Sequence, residues 1–257
     1  MARAPTLAPA IGPRFWWTHA VAPLAAFVAC ISIIALAGLD QRIAAALFHD
    51  AATGAWIGRG SWWAEQLLHD GGRNAVRLLG LAGLALLIAS RFRDDLRHWQ
   101  RPAAYFVVSL LLVTGLAGGL KALTNVDCPW DLEQFGGTRP YVGLLEDRPD
   151  ALPHAACFPG AHSSSGFALL CLYFLLRHRG RVPAALGLAA GLVTGAVFSF
   201  AQQARGAHFL SHDLWSLAIA WYTCLGLYVR AFGADLACVR PACGTRAARR
   251  RPVRACR

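Results

Sequence analysis

The feature that most constrains this chain is a repeated one. Long apolar stretches, each near the ~20 residues an α-helix needs to cross a bilayer, alternate with segments that hold nearly all the charge. The candidate spans are Ala20–Leu39, Ala75–Ser90, Ala103–Leu123, Ser164–Leu176, Pro183–Ala201 and Leu214–Phe232, the fourth short and expected to begin earlier. Only 15% of the residues are charged, against about 25% in an average soluble domain. In lipid every backbone N–H and C=O must be satisfied internally, and spans of this length do so as helices rather than barrel strands. The expected fold is all-α: a polytopic membrane helix bundle of about six transmembrane helices.

An even number of spans places both termini in one compartment. Arg3 and Arg14 precede the first span, Arg91, Arg93, Arg97 and Arg101 separate the second from the third, and Arg177, Arg179 and Arg181 separate the fourth from the fifth. Arg240, Arg246, Arg249, Arg250, Arg251, Arg254 and Arg257 follow the last, whereas Asp127, Asp131, Glu133, Glu146, Asp147 and Asp150 lie in the remaining loops. The positive-inside rule then puts both termini in the cytoplasm and the acidic loops outside, in a bacterial-type inner (plasma) membrane. The net charge of +11 is accounted for by attraction of a basic tail, residues 233–257, to anionic lipid headgroups, without nucleic-acid binding. The first apolar stretch is as long as a span and has no small-residue cleavage pattern, so it is expected to stay as a helix. No internal repeat or shift of composition marks a second domain, so 1–257 reads as a single membrane domain.

Two connecting segments stand out. From Asp40 to Asn74 the chain is too polar to span, yet Trp56, Trp62, Trp63, Leu67 and Leu68 interleave with Arg59, Glu65, His69 and Asp70. That pattern fits an interfacial amphipathic helix, or equally a packing loop. The outer loop from Asn125 to Pro159 is rich in proline and acidic residues and suits turns, Asp127 and Asp131 among them. Of eight cysteines none has CxxC or zinc-site spacing. Cys30, Cys171 and Cys224 fall in spans, Cys238, Cys243 and Cys256 in the tail, and Cys128 and Cys157 outside, where a disulfide between them is one outcome.

Three polar clusters flank the spans on the outer side: Lys121 with Asn125 and Asp127; His162 with Ser163, Ser164 and Ser165; and Arg205 with His208, His212 and Asp213. Ionisable groups at membrane depth are functional suspects, and a bundle would bring all three to one face. Lysine and arginine neutralise phosphate oxygens, one neutral imidazole can attack phosphorus, and a second can protonate the leaving oxygen. Backbone amides at the helix start after Gly160 can meet an anion. Rival structural roles are a snorkelling anchor for Lys121, a headgroup contact for Arg205 and a helix N-cap for Asp213.

These residues resemble the type 2 phosphatidic acid phosphatase superfamily, membrane relatives of vanadium haloperoxidases. The first motif of that family is Lys, six residues, then Arg-Pro; here Lys121 is followed at that spacing by Cys128-Pro129, and Arg139-Pro140 comes later. The second is Pro-Ser-Gly-His, matched by Pro159-Gly160-Ala161-His162. The third is Ser-Arg, five residues, His, three residues, Asp. Aligning its histidine with His208 puts Gln202 at the arginine and His212 at the aspartate, with Arg205 and Asp213 as displaced substitutes.

The resemblance covers a catalytic core of approximately 103–221. It implies an integral membrane phosphatase without metal or other cofactor, acting on a lipid phosphomonoester or diphosphate at a site facing the periplasm or exterior. It makes His208 the nucleophile that forms a phosphohistidine, His162 the acid, and Asp213 the partner that orients the nucleophile. Lys121, Arg205, Arg139, Ser163 and Gly160 become the phosphate-binding residues. His212 either replaces the orienting carboxylate, contacts substrate or points away. A lipid phosphotransferase, or a non-catalytic lipid-binding or transport member, is the alternative.

Overall fold

A computed structural model describes residues 11–144 and 146–237. The basic tail beyond Ala237, with Cys238, Cys243, Cys256 and its seven arginines, lies outside the described residues, as does Arg3. The fold is an all-helical bundle. Helix α1 (Pro13–Ala37) ends at Gly38, which takes a left-handed φ of 60° that glycine adopts at little cost. A short helix α2 (Leu39–Ile43) runs into one wide turn and a two-stranded hairpin, β1 (His49–Asp50) with β2 (Ala55–Trp56). Helix α3 (Trp63–Phe92) follows, then α4 (Gln100–Leu123), a broken helix α5 covering residues 161–176, α6 (Arg181–Ala204) and α7 (Leu210–Ala237).

Four helices are long and apolar enough to cross a membrane by length and composition: Pro13–Ala37, Trp63–Phe92, Asp94–Leu123 and Arg181–Ala204. They contain the second, third and fifth expected spans and cover the first as far as Ala37. The other two expected spans are α5, which is short and broken, and α7, and both are buried in the bundle. Helix α5 contributes Leu170, Cys171 and Phe174, all fully buried, and α7 contributes Ala220 and Cys224 at the same depth. A helix enclosed by other helices need not match lipid all round, so it can carry serine, histidine and aspartate. On α1, by contrast, only 6% of the most apolar window is covered by protein. Leu24, Val28, Ile33 and Leu36 stand exposed there, a face that a bilayer would cover.

Small residues set the closest helix contacts, as they do in membrane bundles. A Cβ on Gly195 of α6 would fall 2.0 Å from the Phe167 ring, and one on Gly191 2.6 Å from the Leu170 backbone. Helices α5 and α6 therefore touch almost backbone to backbone, which fixes the helix start bearing His162.

The segment expected as an interfacial amphipathic helix or a packing loop is helical from Trp63 and packs against the bundle. Residues 63–71 continue without a break into α3, wound wide with i→i+5 bonds, and Trp56 is buried against Phe135 and Gly206. The polar residues of this segment turn one face toward α5 and α6. A Cβ on Gly72 would strike the Phe198 ring at 2.5 Å, so α3 packs directly on α6 at that level.

Candidate active site

Backbone pairing and side-chain ties gather the three polar clusters. The chain leaving α4 pairs with the segment before α5: Cys157 N–H donates to the Val126 carbonyl at 3.0 Å, and the Thr124 hydroxyl donates to the Phe158 carbonyl. Asn125, at a left-handed φ of 50°, accepts from Ala155 N–H at 2.9 Å. Cys128 and Cys157 are disulfide-bonded, Cα to Cα 5.2 Å. Lys121 and His162 are thereby held at fixed offsets from one cross-link.

The start of α5 is joined to the start of α7 in turn. Gly160 N–H donates to the His212 carbonyl at 3.4 Å, and the Ser216 hydroxyl lies 2.9 Å from the carbonyls of both Gly160 and His212. A Cβ at residue 160 would sit 2.5 Å from Ser163 Oγ and 2.8 Å from Asp213 Oδ1. Glycine is needed here for helix contact, and its amide is already engaged within the protein. Ser163, fully buried, donates to the Gly160 carbonyl at 3.0 Å. Gly160 and Ser163, expected at the phosphate, also close the junction between α5 and α7. Asp40 of α2 caps the last helix, accepting from Ser211 N–H at 2.9 Å, so the N-cap role considered for Asp213 belongs to Asp40.

His208 lies in the loop between α6 and α7, and His212 one turn into α7. Their Nδ1 atoms are 3.5 Å apart, both rings reach the Cys157 backbone carbonyl, and His212 meets Phe158 and Phe209 edge-on. Lys121 and His162 are close enough for their charges to act on His208. Burial, first, and then the charges of His212 and Lys121 hold the His208 imidazole well below its ordinary value, with only partial relief from the Cys157 carbonyl. His208 is therefore neutral at pH 7, the form a nucleophile requires.

His162 is buried on the opposite wall. Its Nε2 lies 3.2 Å from the Leu68 carbonyl, Phe198 stacks on its ring at 4.3 Å, and the His69 ring is 4.7 Å away. Arg205 belongs to this side, 3.2 Å from Gln202 Oε1 and 3.7 Å from Glu65. Gln202 Nε2 and Arg205 Nε are buried without hydrogen-bond partners. Two unsatisfied donors on adjacent turns suit an anionic ligand, since such donors are costly to leave unpaired. Gln202 thus occupies the arginine position of the third motif as a neutral donor, with the charge one turn on.

Two further expectations are corrected. Asp213 does not take up the orienting position at His208; its Oδ2 accepts from Gln203 Nε2 at 2.8 Å, beside Ser163 and Ser199. The reason is rotational: one residue more on an α-helix turns the side chain about 100°, so His212 faces His208 and Asp213 faces α6. Arg139 is bound to Asp127 at 2.5 Å, and Asp127 also takes two bonds from Arg148, at 2.8 and 3.0 Å. This buried carboxylate between two guanidiniums braces the outer loop, so Asp127 is more than a turn residue and Arg139 serves the brace instead of the phosphate site. His69, Glu65 and the Leu68 carbonyl, which sequence reasoning did not assign to this cluster, join it through His162 and Arg205. The four-residue steps Glu65, His69, Arg73 along one helix face were the available signal.

Among the described residues, no three His, Cys, Asp or Glu side chains are grouped to hold a metal ion. A cavity of about 680 Å³ is lined by Trp99, Leu172 and Phe232 among others, and His162, His208 and His212 do not line it. A family model described as PAP2 superfamily matches residues 102–234, just over half the chain. No curated protein and no solved structure matches.

Proposed function

Starting from the membership of this chain in the PAP2 superfamily, we propose that it is an integral membrane phosphatase that hydrolyses a lipid phosphomonoester or diphosphate through a phosphohistidine. The observation that carries this reading is the convergence of a neutral, buried His208 with His162, flanked by Lys121 on one side and Arg205 on the other. His208 Nδ1 faces His212, which leaves Nε2 to attack phosphorus. As the N–P bond forms, the bond to the leaving oxygen breaks; burial holds the His162 imidazole down to about 3, so it takes the proton of the monoanionic phosphate group on binding and hands it to that oxygen. In the second half, His162 takes a proton from water, water attacks phosphorus, and His208 departs as neutral imidazole. Lys121, Arg205 and the Gln202 amide stabilise the charge on the three equatorial oxygens.

The site opens on the outer face of the inner membrane in this reading, with six spans and both termini cytoplasmic. The arginine distribution supports it, and so does the Cys128–Cys157 bond beside the site, because disulfides persist in oxidising compartments. The test is phosphate release by purified protein in detergent from a panel of lipid phosphates and diphosphates, with EDTA present. Activity abolished by His208→Ala agrees with the proposal; full activity in that variant refutes the mechanism, and no release by wild type from any lipid refutes the phosphatase.

A further inference from the structure

Helix α3 lies outside the matched residues, yet it forms the wall against His162. Glu65, His69 and Arg73 stand at four-residue steps and so share one face of the helix. Glu65 lies 3.7 Å from Arg205, His69 meets His162 at 4.7 Å between ring centres, and the Leu68 carbonyl lies 3.2 Å from His162 Nε2. The wide-wound stretch coincides with this contact, as such windings often do at functional sites. Asp70 Oδ1 is 3.2 Å from His69 Nδ1, so the carboxylate fixes the His69 tautomer with Nε2 free. Gly72, packed against Phe198, sets the height of the helix.

Resting on the phosphohistidine mechanism above, we propose that His69 is a positioning residue for the general acid. It acts through His162: with Phe198 stacked on the same imidazole and Nε2–H donating to the Leu68 carbonyl, it fixes the ring with the bare Nδ1 toward the leaving oxygen, so that Nδ1 takes the acidic proton of a monoanionic phosphate monoester and passes it to that oxygen. Removing His69 leaves the nucleophile and Lys121 untouched but lets the acid turn away.

The distinguishing readout is the leaving group. An alkoxide must be protonated as it departs, whereas 4-nitrophenolate leaves without help. With wild type, His162→Ala and His69→Gln in the same detergent, kcat/KM, which reports the steps through leaving-group departure and not the shared hydrolysis of the phosphohistidine, is measured on dodecyl phosphate and on 4-nitrophenyl phosphate. His69→Gln is expected to lower kcat/KM on the alkyl substrate by about tenfold or more, the lower part of what general acid catalysis supplies, and to leave kcat/KM on the aryl substrate nearly unchanged. Asp70→Asn is expected to move the same ratio less. Equal loss on both substrates would make His69 a structural residue, and no loss on either would remove it from the mechanism; both overturn the inference while the phosphatase stands. A wild-type enzyme inactive on both substrates, and on the lipid panel, overturns the phosphatase as well.

Discussion

The Nδ1 atoms of His208 and His212 face each other across 3.5 Å in a fully buried space. Two imidazole nitrogens at that separation can share only one proton, so one ring donates and the other accepts. Where the family pattern has a carboxylate, this chain has a second imidazole, whose charge would repel a protonated His208 instead of stabilising it. The pair therefore favours the neutral nucleophile at rest and orients it through a weaker partner.

His208→Ala is expected to abolish phosphate release and the acid-labile phosphoprotein formed in a rapid quench with radiolabelled substrate. His212→Phe keeps the ring's volume but removes the nitrogen, and is expected to lower kcat by about 10–100-fold, the usual loss on removing a group that orients a histidine. The phosphoenzyme should still form, more slowly.

The pH profile carries a sign. Because the folded-state value of His208 is depressed, its neutral form persists below the ordinary imidazole range, and the acid limb of kcat/KM is expected below pH ~6.5. Lys121 contributes to that depression, so Lys121→Met should move the limb to higher pH while lowering kcat/KM throughout. The same shift affects folding. The unfolded chain binds a proton at His208 that the folded chain refuses, so stability is present above the ordinary imidazole value and declines as pH falls below it. Rate profiles and thermal melts in detergent between pH 4.5 and 8 measure both.

Arg205 and Arg139 separate by what each holds. Arg205→Ala removes a cation beside His162 and is expected to lower kcat/KM by about 10²-fold or more with little change in melting temperature. Arg139→Ala leaves Asp127 with Arg148 alone, so the expected loss is about 1–3 kcal/mol of stability with kcat/KM nearly kept. Paired activity and melting measurements on the two variants check the assignment.

The helical class and the two histidines proposed for catalysis were legible in the sequence because each is carried by local signals: apolar length for the spans, Pro-Gly-Ala before His162, and Arg-Gly-Ala before His208. What was not legible depends on rotation and on distant partners. Whether Asp213 or His212 faces His208 turns on 100° of helix phase, and one inserted residue decides it. The placement of Arg139 was fixed by Asp127 and Arg148, a tie across 21 residues that no spacing announces. The tryptophans around His69 and Glu65 fit an interfacial helix and a packing loop equally well. Only their contacts with α5 and α6 give that face its partners.

The disulfide joins stability to the site. Cys128 and Cys157 are 29 residues apart, and closing a loop of that size restricts the unfolded chain by about 3–4 kcal/mol in the chain-entropy account. The bond also holds the Cys157 backbone, whose carbonyl serves both His208 and His212, against the end of α4. Cys128→Ser with Cys157→Ser is therefore expected to lose activity as well as melting temperature. At a temperature where the double variant remains folded, kcat should still fall, because the carbonyl that positions two imidazoles has lost its tether. Reduction of the wild type should reproduce both effects and reoxidation should restore them. Unchanged kcat in a folded, reduced protein would confine the cross-link to stability.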